Sequence, residues 1–288
     1  MALPRSIQEL CEFLKKQKYL ADQGLGTALF LALQMGRPLL LEGAPGVGKT
    51  EVAKALAGAF GKRLIRLQCY EGIDVSQALY EWNFARQMVA IRANEISVSE
   101  TDRVSDQLFS SRFLLERPLL AALRAGSSAI LLIDEIDRAD DEFEAFLLEF
   151  LAEFQITIPE LGTISAATPP IVILTSNRTR EMHDALKRRC FYHWIDYPNQ
   201  SREKEIILLR APEVEDLLAE KVVAAVAKMR ELALLKKPGI AESIDWANGL
   251  QRLGRHDLEG SSVRETLGLV LKEHDDLAHV LGENVLGS

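Results

Sequence analysis

The run Gly43-Ala44-Pro45-Gly46-Val47-Gly48-Lys49-Thr50 carries the most specific chemistry in the chain. It fits GxxxxGK[ST], a glycine-rich turn between an apolar strand and a helix, which is a geometry for holding phosphates. Gly43, Gly46 and Gly48 let backbone N–H groups converge on an anion at the positive end of the helix that follows. Lys49 supplies a mobile point charge for the β and γ phosphates, and the Thr50 hydroxyl is a ligand for Mg2+, with Glu51 next in the first helical turn. The chemistry implied is the binding of a nucleotide triphosphate.

AILLIDEID places Asp134 and Glu135 at the end of an apolar run. Asp134 reads as the carboxylate that holds Mg2+ through its water shell, and Glu135 as the group that orients an attacking water. Phosphoryl transfer needs positioning and charge stabilisation, so a second carboxylate beside the metal-binding one suits hydrolysis. ILTSN ends with Asn177, placed to hydrogen-bond a γ-phosphate or the water. DALKRRCF carries Arg188 and Arg189, and SSVRETLG carries Arg264. An arginine supplied to a neighbouring subunit's γ-phosphate stabilises transition-state charge. Arg188 and Arg189 both suit that role, and Arg264 is placed to reach back over the nucleotide. Taken singly, each of the three also suits plain surface charge.

Groups so far apart in sequence need a scaffold that gathers them. PLLLEG (38–43), Arg63–Cys69, AILLID (129–134), PIVILTS (170–176) and FYHWI (191–195) read as strands. Residues 5–35 read as helical up to Gly36. Lys49–Phe60 reads as a helix, with Val52, Ala53, Ala55, Leu56, Ala59 and Phe60 at helical spacing, and so does Asp141–Phe154. Alternating strands and helices predict an α/β fold with a mainly parallel sheet covered on both faces and ligands at the carboxyl ends of its strands. After Pro198 the strands stop, and Ser201–Arg210, Val214–Leu235 and Val263–Leu281 read as helices. The boundary falls near Tyr197–Ser201, giving a nucleotide-binding domain over 1–198 and a small helical one over 199–288.

Composition sets limits on the rest. Of 288 residues, 48% are hydrophobic and 26% charged, an ordinary globular balance. The start MALPRSIQELCEF lacks a continuous apolar stretch, and the apolar runs elsewhere are shorter than the roughly 20 residues of a membrane span. A cytoplasmic protein without a membrane span is the expectation. Cys11, Cys69 and Cys190 are too scattered for a disulfide framework or a zinc site and read as reduced thiols in or near the core. A net charge of −8 argues against tight nucleic-acid binding, without excluding a basic pore in an oligomer.

GAPGVGKT, ILLIDE, ILTSN, ALKRR and SSVRE occur in the order of the Walker A, Walker B, sensor 1, arginine finger and sensor 2 motifs of AAA+ ATPases. With RLQCYEGID, EWNFARQMVAIR and FEAFLLEFLAEFQITIPELGTI, the resemblance is to the MoxR family over about residues 20–280, and within it to the CoxD group. It implies a P-loop AAA+ module with a five-stranded parallel sheet of order 5-1-4-3-2 and a small all-α lid. It also implies ATP and Mg2+ as ligands, a homo-oligomeric ring, usually a hexamer, and a partner with a von Willebrand factor A domain. The client implied is a metalloenzyme, the copper-molybdenum centre of a carbon monoxide dehydrogenase-type enzyme. Arg189 aligns best with the finger, although Cys190 follows it where Phe is usual; Arg264 matches sensor 2, with Val263 replacing a proline. Residues 72–112 resemble the helix-2 insert of this branch, with EWNFARQMVAIR as a long helix. Residues 154–169 resemble the hairpin before sensor 1. Both are expected to meet substrate in a pore.

Rival readings remain: a nucleic-acid motor or chelatase-type subunit, and a nucleotide switch that hydrolyses too slowly to matter. A DNA motor calls for basic residues on the hairpin, whereas QITIPELGT has none and carries Glu160 near its tip. No NKxD-like motif points to guanine.

Overall fold

Strands buried on both faces read as unbroken apolar runs, while strands with a wet side alternate. The computed structural model, which describes residues 3–93, 107–258 and 264–283, follows that rule. Its strands in chain order are β1 (Leu39–Gly43), β2 (Arg63–Gln68), β3 (Tyr80–Trp82), β4 (Leu114–Glu116), β5 (Ala129–Asp134), β6 (Gln155–Ile158), β7 (Gly162–Ser165), β8 (Ile171–Ser176) and β9 (Phe191–Ile195). Five of them form one parallel sheet in the order β2-β5-β8-β1-β9. Counted by these five alone, that is the 5-1-4-3-2 order implied by the family resemblance. β1, β5 and nearly all of β8 are buried and lie in the middle; β2 and β9 alternate and lie at the edges.

One face of the sheet packs against helices Ile7–Lys16, Gln23–Met35 and Lys49–Phe60, with Leu39, Leu41, Ile130, Leu132 and Ile173 at the contact. The other packs Leu40, Leu131, Ile133 and Leu174 against helices Pro118–Ala125 and Asp141–Glu153. Register then does the positioning. Gln68 lies beside Asp134, Glu42 beside Ser176, and Gly43 beside Ile195, so the chemical residues collect at one end of the sheet.

Beyond β9 the chain is helical and has its own core. Helices Gln200–Arg210, Asp216–Glu231, Ile240–Arg252 and His274–Gly282 surround the fully buried Trp246. The Trp246 indole N–H donates to Thr266 Oγ1 at 2.9 Å. Arg230 makes a forked pair with buried Glu203 at 2.5 and 2.8 Å, and its guanidinium lies 4.4 Å from the Tyr197 ring. This charge pair ties the helices to the segment that leads into them.

Several element boundaries differ from the sequence reading. The helical stretch 5–35 is two helices, broken where Lys18 takes a left-handed backbone (φ 60°) and Asp22 caps the second by accepting from Leu25 N–H at 2.7 Å. EWNFARQMVAIR is not one helix. Tyr80–Trp82 pairs antiparallel with β4, and a helix starts only after the Asn83 cap, over Phe84–Arg92. Residues 94–106 of the expected insert lie outside the described residues. β6 and β7 form the expected antiparallel hairpin. Helix Ile240–Arg252 was not foreseen, and the stretch read as one helix over 263–281 is broken: residues 264–266 are helical and run into a 3-10 turn at Leu267–Leu269, and a separate helix follows at His274–Gly282. Val263 lies outside the described residues. Cys69 and Cys190 are buried free thiols, each pushed up to about 12 by burial.

Candidate active site

The turn after β1 can be followed residue by residue. Gly43 pairs with Ile195, and a Cβ on it would stand 2.2 Å from the Ile195 carbonyl oxygen, so only glycine fits. Gly46 has φ +81°, and a Cβ there would lie 2.8 Å from Gly239 Cα. Ala44, Pro45 and Val47 complete the loop, with Val47 buried, and Gly48 opens the helix that begins at Lys49.

Lys49 is buried and folded back on its own loop. Its Nζ donates to the carbonyls of Gly43 and Ala44, both at 2.8 Å. Burial lowers its pKa to about 8, against the pull of Asp137, Asp134, Glu135 and Glu42. An ammonium so placed is poorly solvated and close to where phosphates enter.

Asp134 is the hub of the neighbouring strand end. Its Oδ1 accepts the Thr50 hydroxyl at 3.0 Å and the Thr175 hydroxyl at 2.5 Å; Oδ2 accepts Arg66 Nε at 2.9 Å. Thr175 also accepts the Glu135 N–H at 2.9 Å and so holds both acidic residues. Glu135 sits in a left-handed backbone (φ 55°), an uncommon state for a residue with a side chain and one that collects at functional sites. Its carboxylate pairs with Arg138 Nε at 3.0 Å. Asn177 follows β8, its N–H donating to Asp137 Oδ1 at 3.2 Å. Asp137 also accepts Thr179 N–H and Oγ1, at 2.8 and 2.7 Å.

A hydroxyl and a carboxylate 3.0 Å apart, from segments 84 positions distant, are the donor set a hard cation with water ligands takes. Gly43 and Gly46 leave no room for a Cβ, and Gly48 takes a left-handed backbone (φ +94°), so the turn keeps the tight glycine backbone that lets amides converge on an anion. The residues present therefore fit Mg2+ and a nucleotide phosphate chain.

Beside the turn lies a cavity of about 700 Å³, lined by Lys18–Gln23 and Leu25 of the break between the first two helices, Gly46–Gly48, Glu51, Trp194–Asn199, Arg202, Ile206, Arg210, Ile240 and Ile244. The C-terminal helices close it directly on the loop. Ile240 N–H donates to Gly46 O at 3.0 Å, and Arg210 Nη1 to Glu51 Oε2 at 3.2 Å.

The candidate arginines lie elsewhere. Arg188 and Arg189 are exposed at the end of helix Asp184–Arg189, before β9 begins. The loop adjoins the other end of β9, about 15 Å away at strand rise. Arg189 Nη1 donates to Leu148 O at 2.8 Å, while the Arg188 carbonyl accepts Arg37 Nη2 at 2.7 Å. Arg264 is exposed and does not line the cavity. The structure thus gathers residues 43–51, Asp134, Glu135 and Asn177, and leaves the three arginines apart from them. Sequence reasoning missed Arg66, Thr175, Asp137 and Glu42. Thr175 was within reach of it, because it stands at the end of a strand read from the sequence, two positions before Asn177.

A family model described as "AAA domain (dynein-related subfamily)" matches residues 38–190. A protein of Staphylococcus haemolyticus, named as uncharacterized, is 26% identical over 216 residues, covering 73% of this chain and 74% of its own. One of Staphylococcus saprophyticus, named likewise, is 23% identical over 197 residues, covering 66% and 67%. Among solved structures, a point mutant of Thermotoga maritima RuvB superposes with a TM-score of 0.52 at 19% identity, over 99% of this chain and 80% of that one. A second RuvB mutant gives 0.51 at 20% identity, over 92% and 72%. At such identity the likeness is one of fold.

Proposed function

The chain belongs to the AAA family, in its dynein-related subfamily, and from that premise we propose that it hydrolyses Mg-ATP to remodel another protein. The reading rests above all on the meeting of Thr50 with Asp134 at 3.0 Å, which joins the phosphate turn to the acidic strand end. Lys49 and the turn's amides would hold the phosphates, and Thr50 and Asp134 would hold Mg2+, whose charge would offset that of the phosphates. Glu135 orients a water and receives its proton, and Asn177 hydrogen-bonds the γ-phosphate or that water. The helical region 199–288 acts as a lid over the nucleotide bound by 1–198, and Ile240, Ile244 and Ile206 offer the base an apolar wall.

Arg189, or Arg188 beside it, acts on the nucleotide of a neighbouring subunit. Their position at the far end of β9 supports this, since neither is near its own loop. The reading requires assembly, and a ring of six copies suits it. The metalloenzyme client of carbon monoxide dehydrogenase type and the von Willebrand factor A-domain partner rest on the motif resemblance to the MoxR family and its CoxD group. An acidic turn on the β6–β7 hairpin, with Glu160 exposed, favours a protein client over nucleic acid.

ATP turnover measured against protein concentration, with mass by light scattering with and without Mg-ATP, tests this. Activity rising steeply with assembly supports arginine action between subunits. Turnover independent of concentration in a monomer removes that reading and favours a nucleotide switch.

A further inference from the structure

Glu42 has no part in this mechanism, yet it stands next to last in β1, directly before Gly43, only 5% exposed. Two positions earlier the same face of the strand carries Leu40, and an apolar residue would fill the site at lower desolvation cost. A carboxylate so far from water needs partners for both oxygens. Glu42 finds them on the two flanking strands. Oε1 accepts the Ser176 hydroxyl of β8 at 3.1 Å, and Oε2 accepts the Tyr192 hydroxyl of β9 at 3.0 Å.

Each partner leads somewhere. Ser176 Oγ accepts the Arg178 N–H at 3.0 Å, and Arg178 is held in a left-handed backbone, φ 58°. A non-glycine residue keeps that conformation where its surroundings impose it. Asn177 lies inside this turn, so the aim of its side chain depends on Ser176 and Glu42 on one flank and on Asp137 on the other. Tyr192 is half-exposed, and its hydroxyl pKa is raised by partial burial and the bond to Glu42. It sits in β9 three residues after Arg189, on the strand that Arg188 and Arg189 lead into.

We propose that Glu42 is a positioning residue that couples the γ-phosphate contact at Asn177 to β9, and through β9 to the arginine presented to the next subunit. The inference rests on the hydrolytic reading given above. One carboxylate bridging two hydroxyls makes the 176–178 turn and β9 move together, so the state of one subunit's phosphate reaches its neighbour's site.

The test compares affinity for ADP and for a non-hydrolysable ATP analogue, both with Mg2+, and turnover of the assembled protein. Glu42→Met removes both hydrogen bonds, and should weaken the ATP analogue about tenfold while leaving ADP within about twofold. Glu42→Gln, which can still bond both hydroxyls, should recover most of the loss. Tyr192→Phe should keep both affinities and lower kcat of the assembly about fivefold at unchanged KM. Should Glu42→Met fail to fold, Ser176→Ala cuts the same link from β8 and carries that comparison.

Equal loss of ADP and the ATP analogue, or loss of neither, overturns the proposal. So does Glu42→Gln behaving like Glu42→Met, which would assign the effect to negative charge beside Lys49. Wild-type kcat in Tyr192→Phe overturns the link to β9. The two readings separate cleanly: a wild-type chain that binds no nucleotide refutes both, whereas one that binds normally while Glu42→Met leaves the ATP-to-ADP ratio unchanged refutes the coupling alone.

Discussion

The phosphate turn with its acidic strand end, and the cavity beside it proposed to take the base, are built by opposite means. On the phosphate side, nearly every position demands one residue type. Gly43 has no room for a Cβ, Lys49 is a buried cation, and Asp134 accepts from Thr50, Thr175 and Arg66. On the base side, Ile195, Ile206, Ile240 and Ile244 offer apolar surface that other aliphatic side chains would offer nearly as well. Charge and hydrogen-bond geometry fix the first group of residues, apolar bulk the four isoleucines of the second. Substitutions should therefore be costly and specific on one side, mild and graded on the other.

The largest effect is expected at Lys49. Lys49→Ala should leave no measurable nucleotide binding by titration; normal affinity would remove the turn from the site. Next comes the arginine from the neighbour. Arg189→Ala should bind ATP normally and lose about 10³-fold in assembly-stimulated turnover. The same phenotype in Arg188→Ala, with Arg189→Ala unaffected, would shift the assignment by one position. Glu135→Gln should retain Mg-ATP and slow turnover about 10²-fold. Near-normal turnover there would strip Glu135 of its role.

The same contrast explains what the sequence made legible. Gly43–Thr50, Asp134–Glu135 and Asn177 stand out because their chemistry tolerates few substitutes and each occupies a short segment at a strand end. All five strands of the main sheet were legible too, since β1, β5 and β8 are unbroken apolar runs. The base wall was not. It draws on the break at Lys18–Asp22, on Trp194–Asn199 and on helix Ile240–Arg252, segments joined only by the fold. That helix escaped notice because IAESIDWANGLQR opens on Gly239, a weaker cap than Ser or Asp, and contains Gly249. Glu42 escaped for another reason. Its partners, Ser176 and Tyr192, lie 134 and 150 positions away, and nothing local marks a glutamate at a strand end as buried.

A pH titration sharpens the comparison, because the phosphate side carries a cation whose ionisation is displaced towards neutral pH. Burial holds Lys49 at about 8, below its ordinary value of 10.5. The cost of burying its charge is present below that pH and relieved above it, so between about 8 and 10.5 Lys49 makes the free protein more stable as pH rises. Nucleotide binding takes the opposite sign, since phosphate recognition requires the charged form. Affinity for ATP should hold level from pH 6 to 7.5, then fall towards about tenfold per pH unit above 8, with uptake of close to one proton on binding at pH 9. Calorimetry in two buffers of different ionisation enthalpy measures that uptake. Equal proton release or uptake at pH 7 and 9 would mean that Lys49 is not the group being titrated.

The base side should answer least. Ile244→Ala removes part of one aliphatic wall, and about 1 kcal/mol of apolar contact corresponds to roughly fivefold weaker ATP binding. That loss should appear equally for ATP and ADP, and turnover at saturation should be unchanged, because the wall touches neither phosphate nor water. It should also be largely independent of pH between 7 and 9, once the Lys49 dependence common to both proteins is divided out. A kcat defect in Ile244→Ala would show that the C-terminal helices do more than cover the base. The hydrogen bond from Ile240 N–H to Gly46 O is then the contact through which a displaced helix would reach the phosphate turn.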